Sequence, residues 1–264
     1  MLQDIKNLYN NCSRYWDEVT DHRTDDWFLM GSPWKVITIV ILYLYFVEHL
    51  GPRLMKKRPP FNVEPIIKVY NLAQIFICAH IIYRSHALGW LKTHSWYCQP
   101  IDYSNRPMAL QIAGTVHMYV VLKFIDLVDT IFFVLRKKFN QVSFLHVYHH
   151  AIMSLGSWFC MKILPGGHAV FLGYLNSWVH VFMYTYYFIT SMWPEYKKNI
   201  WWKKHITQLQ MFQFFLIFVH GLIPFFIECE YPRSMAFILS TQAFVVFSLF
   251  FNFYVKTYMK AKTN

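Results

Sequence analysis

Three histidines stand in the stretch FLHVYHHAIM, residues 144–153: His146, His149 and His150. On an α-helix the positions i, i+3 and i+4 share one face, so the three imidazoles crowd together. Their neighbours are Leu, Val, Tyr, Ile and Met. Carrying three imidazoles into so apolar a segment costs free energy unless each finds a partner. A lone histidine there is a satisfied core residue; three at this spacing point to a site. The spacing admits two chemistries, metal ligation and nucleophilic or acid–base work at an imidazole.

Other polar residues recur inside apolar blocks at helical spacing. Lys123, Asp126 and Asp129 fall at i, i+3 and i+6, with Thr130 adjacent, and Lys123 can pair with Asp126 along one face. Asn176, His180, Tyr184 and Tyr187 form a stripe at i, i+4, i+8 and i+11, with Tyr186 beside it, and Thr207, Gln210 and Gln213 recur every three residues. Strongly polar groups inside a membrane are costly and mark functional sites. The plainer alternatives are a buried ion pair that orders a bundle and amides that join helices by hydrogen bonds. Together these residues predict one inward polar surface, nearer the cytosolic side.

The elements that must position them are long and apolar. Of 264 residues, 56% are hydrophobic and 20% aromatic, which places the chain among multi-span helical membrane proteins. The net charge of +11 would suit nucleic acid, but the Lys and Arg cluster in short loops between apolar blocks. That placement encodes membrane topology, and nucleic acid is not an expected partner. The blocks run over 34–50, 65–83, 108–135, 142–164, 169–192, 206–227 and 234–255. These are seven expected spans, each near the ~20 residues a bilayer core needs. Basic loops follow the first (Arg53, Lys56, Lys57, Arg58), third (Arg136, Lys137, Lys138), fifth (Lys197, Lys198, Lys203, Lys204) and seventh (Lys256, Lys260, Lys262). Those loops are therefore expected in the cytosol and the N-terminus on the lumenal side.

The organisation expected is a polar lumenal segment over 1–33, seven spans over 34–255, and a cytosolic tail over 256–264. No cleavable signal peptide is visible, so the first span serves as the signal. Asn11-Cys12-Ser13 is a glycosylation sequon on the lumenal side. Lys260 and Lys262 fit a di-lysine retrieval signal of the endoplasmic reticulum. Cys98 and Cys229 fall in lumenal loops, after the second and sixth spans, where a disulfide between them is expected to persist.

A di-iron site of the membrane desaturase type needs more histidine boxes, and the remaining histidines of the thirteen are isolated. A single zinc held by this cluster with His180 as fourth ligand stays open. A cysteine nucleophile is poorly supported: Cys160 lies eleven residues past His149, ~16 Å along a helix. Cys78 belongs to no motif, and Cys12, Cys98 and Cys229 fall on the lumenal side.

Taken in order, the motifs resemble those of the fatty acid elongase family, over nearly the whole chain. The histidine box is HVYHH, 146–150; the lysine/acid motif is KFIDLVDT, 123–130; HVFMYTYY covers 180–187 and TQLQMFQ covers 207–213. The family usually has Glu where this chain has Asp126, one methylene shorter. The resemblance implies an acyltransferase, the 3-ketoacyl-CoA synthase that condenses a long-chain acyl-CoA with malonyl-CoA, releasing CO2 and CoA, in the endoplasmic reticulum membrane. It implies a bundle in which spans two to seven surround a closed-ended tunnel. It implies no cofactor. The partners implied are the two acyl-CoA substrates, the bilayer, the reductases and dehydratase that follow in the elongation cycle, and further copies of the chain.

With no cysteine in place, a neutral imidazole is the best nucleophile present. His149 is the expected acyl carrier, with His150 the alternative. His180 and Asn176 are expected to bind the thioester carbonyl or the malonyl enolate, and His146 and Gln210 to fix ring orientation. Lys123, held by Asp126, is expected to meet the CoA diphosphate or malonyl carboxylate. Asp129, Tyr184, Tyr187, Gln213 and the basic Arg136, Lys203 and Lys204 complete the expected substrate contacts. Two other classes remain: a histidine-ligated metal-dependent membrane oxidase or hydroxylase, and a seven-span receptor or transporter.

Overall fold

The computed structural model describes residues 2–90, 92–198 and 200–259, and within them the chain is helical with no strand. The helices are α1 (Leu2–Val19), α2 (Pro33–Tyr45), α3 (Gly51–Met55), α4 (Glu64–Ala87), α5 (Pro107–Ile125), α6 (Leu127–Leu135), α7 (Phe144–Ile163), α8 (Val170–Met192), α9 (Ile200–Leu222) and α10 (Arg233–Tyr254). A wider turn over Phe46–Leu50 joins α2 to α3 as one rod. Pro33 stands at its first turn, where a missing N–H costs nothing.

Six helices close a ring. α4 packs on α8, α8 on α9, α9 on α10, α10 on α7, α7 on α5, and α5 on α4. A cavity of about 200 Å³ lies inside it, lined from every member: Ile81, Tyr119, Met153, Gly173, Ile217 and Val246 stand for α4, α5, α7, α8, α9 and α10. The α2–α3 rod stays outside and leans on α6 and α7. Its close approach needs glycine. A Cβ on Gly51 would sit 2.6 Å from Val134 Cγ1 and 2.8 Å from the Phe46 carbonyl oxygen.

Among the described residues four rods are long and apolar enough to cross a membrane: Pro33–Met55, Glu64–Ala87, Trp201–Phe225 and Arg233–Met259. The other three expected spans are also helical, as α5 with α6, α7 and α8. They carry the lysine/acid motif, the histidines and the tyrosine stripe. The third block differs from the single helix expected over 108–135. It turns at Asp126, whose carbonyl accepts from Asp129 N–H at 3.2 Å in one tight i→i+3 turn. The sixth begins earlier than expected, at Ile200.

The N-terminal segment, expected only as polar, is a built cap. Asp21 N–H donates to the Lys162 carbonyl at 2.8 Å, and Trp158 Nε1–H to the Leu29 carbonyl at 2.9 Å. Lys162, at the end of α7, pairs with Asp25. Burial alone would raise the Asp25 carboxyl. Hydrogen bonds from Lys162 and His22 outweigh it and hold the group below its usual range. Asn11 is exposed on α1. Lys260 and Lys262 lie outside the described residues.

The expected disulfide is present: Cys98 and Cys229 are bonded with their Cα atoms 5.6 Å apart. It ties the loop after α4 to the loop between α9 and α10. The bridge spans 131 residues, worth ~4–5 kcal/mol on chain entropy alone and less where the unfolded chain stays compact. Replacing both cysteines by serine should lower the thermal midpoint in detergent by several degrees. Peptide mapping without reduction should recover the 98 and 229 peptides joined; two free thiols there would refute the bridge.

Candidate active site

The histidine cluster begins at the first turn of α7. Ser143 caps that helix, its hydroxyl oxygen accepting from His146 N–H at 3.3 Å. The cap sets the rotation of the first turn, and with it the face that carries the imidazoles. His146 and His150 lie ring against ring, centroids 4.2 Å apart, and His149 lies 5.8 Å from His150. Phe214 of α9 and Phe250 of α10 hold His149 edge-on at 5.7 and 6.0 Å. The Ser154 hydroxyl lies 2.9 Å from the carbonyls of both Lys123 and His150, pinning α7 to α5.

Opposite stands a buried polar network. Lys123 Nζ donates to Asp126 Oδ2 at 2.7 Å and to Asn176 Oδ1 at 3.0 Å, and lies 4.9 Å from the centre of the Tyr119 ring. Asp126, although shorter than a glutamate, also reaches Gln74 of α4, whose Nε2 donates to it at 2.8 Å. Asn176 Oδ1 accepts a second bond from Tyr119 Oη at 3.0 Å, while its Nδ2 donates to Gln213 Oε1 at 3.3 Å. The Tyr184 hydroxyl donates to Asp129 Oδ2 at 2.7 Å and lies 3.3 Å from Asp126 Oδ1. Thus α4, α5, α6, α8 and α9 are joined through one ion pair and its neighbours.

His180 connects network to cluster. Its Nδ1 lies 3.8 Å from Asp126 Oδ2. Among the described residues, Nδ1 of His149 and Nδ1 of His180 are buried without a hydrogen-bond partner. Two unpaired ring nitrogens are costly unless something occupies the space. Tyr119 and Gln213 belong to the network and also line the apolar cavity. The polar site and the cavity therefore share a wall.

The expected residues do not all converge. Among the described residues Gln210 Nε2 meets the Met183 sulfur, at 3.4 Å. Tyr187 stacks edge-on against Tyr184 and is 40% exposed. Lys203 is exposed in the first turn of α9, Lys204 is half-buried, and Arg136 ends α6. None of these three takes part in the hydrogen bonds of the cluster. Among the described residues no three His, Cys, Asp or Glu side chains converge on a point that would hold a metal ion. Tyr119, Gln74, Ser154 and Tyr70, whose hydroxyl accepts from Gln74 Nε2 at 2.8 Å, belong to the site but not to the expected set. The signal for Gln74 was available, as an amide one turn after Asn71 in an apolar block.

Residues 28–264 match the family described as ELO: GNS1/SUR4. The chain is 42% identical over 254 residues to very long chain fatty acid elongase 7 of Drosophila melanogaster, covering 96% of this chain and 77% of that one. It is 38% identical over 263 residues to very long chain fatty acid elongase 1 of Homo sapiens, covering 99% and 93%. A very long chain fatty acid elongase of Aedes aegypti is 42% identical over 259 residues, covering 98% and 72%.

The ion pair generates a stability prediction. Lys123 and Asp126 side chains are 3% and 4% exposed. Asp126→Asn leaves a buried ammonium without its counter-charge, a loss of ~3–5 kcal/mol. Removing both charges, as Lys123→Met with Asp126→Leu, should cost less. Thermal unfolding of the detergent-solubilised variants checks the order; a double variant worse than Asp126→Asn would contradict it.

Proposed function

We propose, from the premise that this chain belongs to the ELO: GNS1/SUR4 family, that it is a fatty acid elongase acting on a long-chain acyl-CoA and malonyl-CoA. The single observation that carries the reading is the pair of buried nitrogens without a hydrogen bond on His149 and His180, the latter beside Asp126 of a polar network that borders an apolar cavity. An acyl thioester has the matching anatomy: a polar reacting head and a long apolar tail.

Acyl-CoA enters with its tail in the cavity and its thioester among His149, His150 and His180. A ring nitrogen of His149 attacks the thioester carbonyl. The C–S bond breaks, and the thiolate takes the proton that the acylated imidazole gives up, leaving acyl-histidine and CoA. Malonyl-CoA then occupies the vacated CoA site. Loss of CO2 leaves an enolate, whose carbon attacks the acyl-imidazole and forms the new C–C bond. The released imidazolate recovers a proton from solvent. His180, Asn176 and Tyr119 suit the oxyanions that develop. Lys123 suits the malonyl carboxylate or the CoA diphosphate, and Arg136, Lys203 and Lys204 the CoA phosphates. The reaction as written calls for no cofactor.

The same reading extends to the membrane. Seven spans, with α4 to α10 around a tunnel closed at the end away from the histidines, fit the ring of contacts and the cavity within it. The alternating basic loops support a cytosolic C-terminus and a lumenal Asn11 open to glycosylation. The lysines at 260 and 262 support retention in the endoplasmic reticulum, where the reductases and dehydratase of the cycle would take over the product.

Purified protein given acyl-CoA and labelled malonyl-CoA should release labelled 3-ketoacyl-CoA and CO2. Varying both substrates should give parallel reciprocal lines, the pattern of two half-reactions. His149→Ala should lower turnover by more than a thousandfold, whereas Gln210→Ala should cost about tenfold or less. Intersecting lines would replace the covalent route by a ternary complex, and no product at all would refute the elongase reading.

A further inference from the structure

Tyr43 lies on α2, the rod outside the ring, in the wholly apolar run VILYLY. Its hydroxyl is nevertheless 2.8 Å from Thr130 Oγ1, and Thr130 Oγ1 is 2.9 Å from His146 Nε2. Tyr43 is 6% exposed and Thr130 is fully buried, so water is no ready substitute for either bond. Beyond Thr130 the chain of contacts runs on through His146 to His150, 4.2 Å between ring centres.

The direction of this chain follows from counting protons. Each hydroxyl has one to donate. Among the described residues Tyr43 Oη has Thr130 as its hydrogen-bond partner. If Tyr43 donates to Thr130, Thr130 donates to His146 Nε2, and every hydroxyl proton is used. The reverse direction strands the Tyr43 proton in an apolar setting, at the cost of an unsatisfied buried donor. The favoured direction makes Nε2 of His146 the acceptor and leaves the ring proton on Nδ1. It also fixes the plane of the ring that packs on His150.

The rod is held firmly enough to do this. Tyr43, Val47 and Met55 form one buried cluster with Leu127, Val134 and Val147, and Gly51 allows contact with Val134.

We propose that Tyr43, acting through Thr130, is a positioning residue for the histidine cluster, fixing the tautomer and plane of His146 and through it the attitude of His150. This rests on the elongase reading and adds to it a role for the helix outside the ring. Loss of the tyrosine hydroxyl removes the donor that fixes the direction of the chain, so Thr130 can donate to or accept from His146 Nε2 and the ring is no longer held in one tautomer; the step at the histidines slows while substrate binding is unchanged.

The test uses the full-length protein in detergent, as wild type, Tyr43→Phe, Thr130→Val, Thr130→Ser and Tyr43→Phe/Thr130→Val. Initial rates with both substrates are measured beside thermal unfolding. Tyr43→Phe should lower kcat about tenfold, the order set by one hydrogen bond, with both KM values within about twofold of wild type. Thr130→Ser keeps the hydroxyl and should retain most of kcat; Thr130→Val should lose at least as much as Tyr43→Phe. The double variant should be no slower than Thr130→Val alone, because both changes cut one chain. A Tyr43→Phe kcat within about twofold of wild type overturns the proposal. So do effects that multiply in the double variant, or a kcat loss in Tyr43→Phe that Thr130→Val does not share. Absence of wild-type turnover overturns the elongase reading and the proposal with it; wild-type turnover with an unaffected Tyr43→Phe overturns the proposal alone.

Discussion

A lysine ammonium buried at the centre of an apolar bundle is the constraint from which the rest follows. Lys123 is 3% exposed, and an uncompensated charge at such depth is not tolerated. Its compensation is drawn from a distance: Asp126 one turn on, Asn176 on α8, and the face of Tyr119. Asp126 and Asn176 are in turn met by further helices, through Gln74 on α4 and Gln213 on α9. Meeting one charge therefore brings five helices into register.

That geometry separates two environments within one enclosure. On one side are His149, His150, His180 and the ion pair. On the other is a cavity lined by Ile81, Met153, Leu172, Ile217 and Val246. Tyr119 and Gln213 form the boundary, with polar atoms turned to Asn176 and the remainder of each side chain toward the cavity. On the elongase reading the boundary is where a thioester meets its tail. The cap over residues 20–31 and the Cys98–Cys229 bridge hold the opposite end of the bundle together.

Much of the site was legible because its residues break an apolar pattern. His146, His149 and His150, the Lys123–Asp126 pair and the Asn176–Tyr187 stripe announce themselves by spacing on single helices, and the structure brings most of them together. What was not legible depends on residues distant in sequence. Tyr43 and Tyr119 read as membrane aromatics until Thr130 and Asn176, 87 and 57 positions on, are brought against them. Lys162 reads as a charge at a helix end until Asp25 meets it across 137 positions. The turn at Asp126 was hidden because no glycine or proline interrupts the apolar run there. Arg136, Lys203 and Lys204 stand apart from the hydrogen bonds of the cluster, and their charge also carries the topology signal.

The most direct test of acyl transfer to the cluster omits the second substrate. Enzyme mixed with acyl-CoA alone should release CoA up to one equivalent. The peptide carrying residues 144–153 should gain the mass of the acyl group, and His149→Ala should abolish that gain. Release of CoA only after malonyl-CoA is added, with the peptide unmodified throughout, would contradict a histidine-borne acyl group.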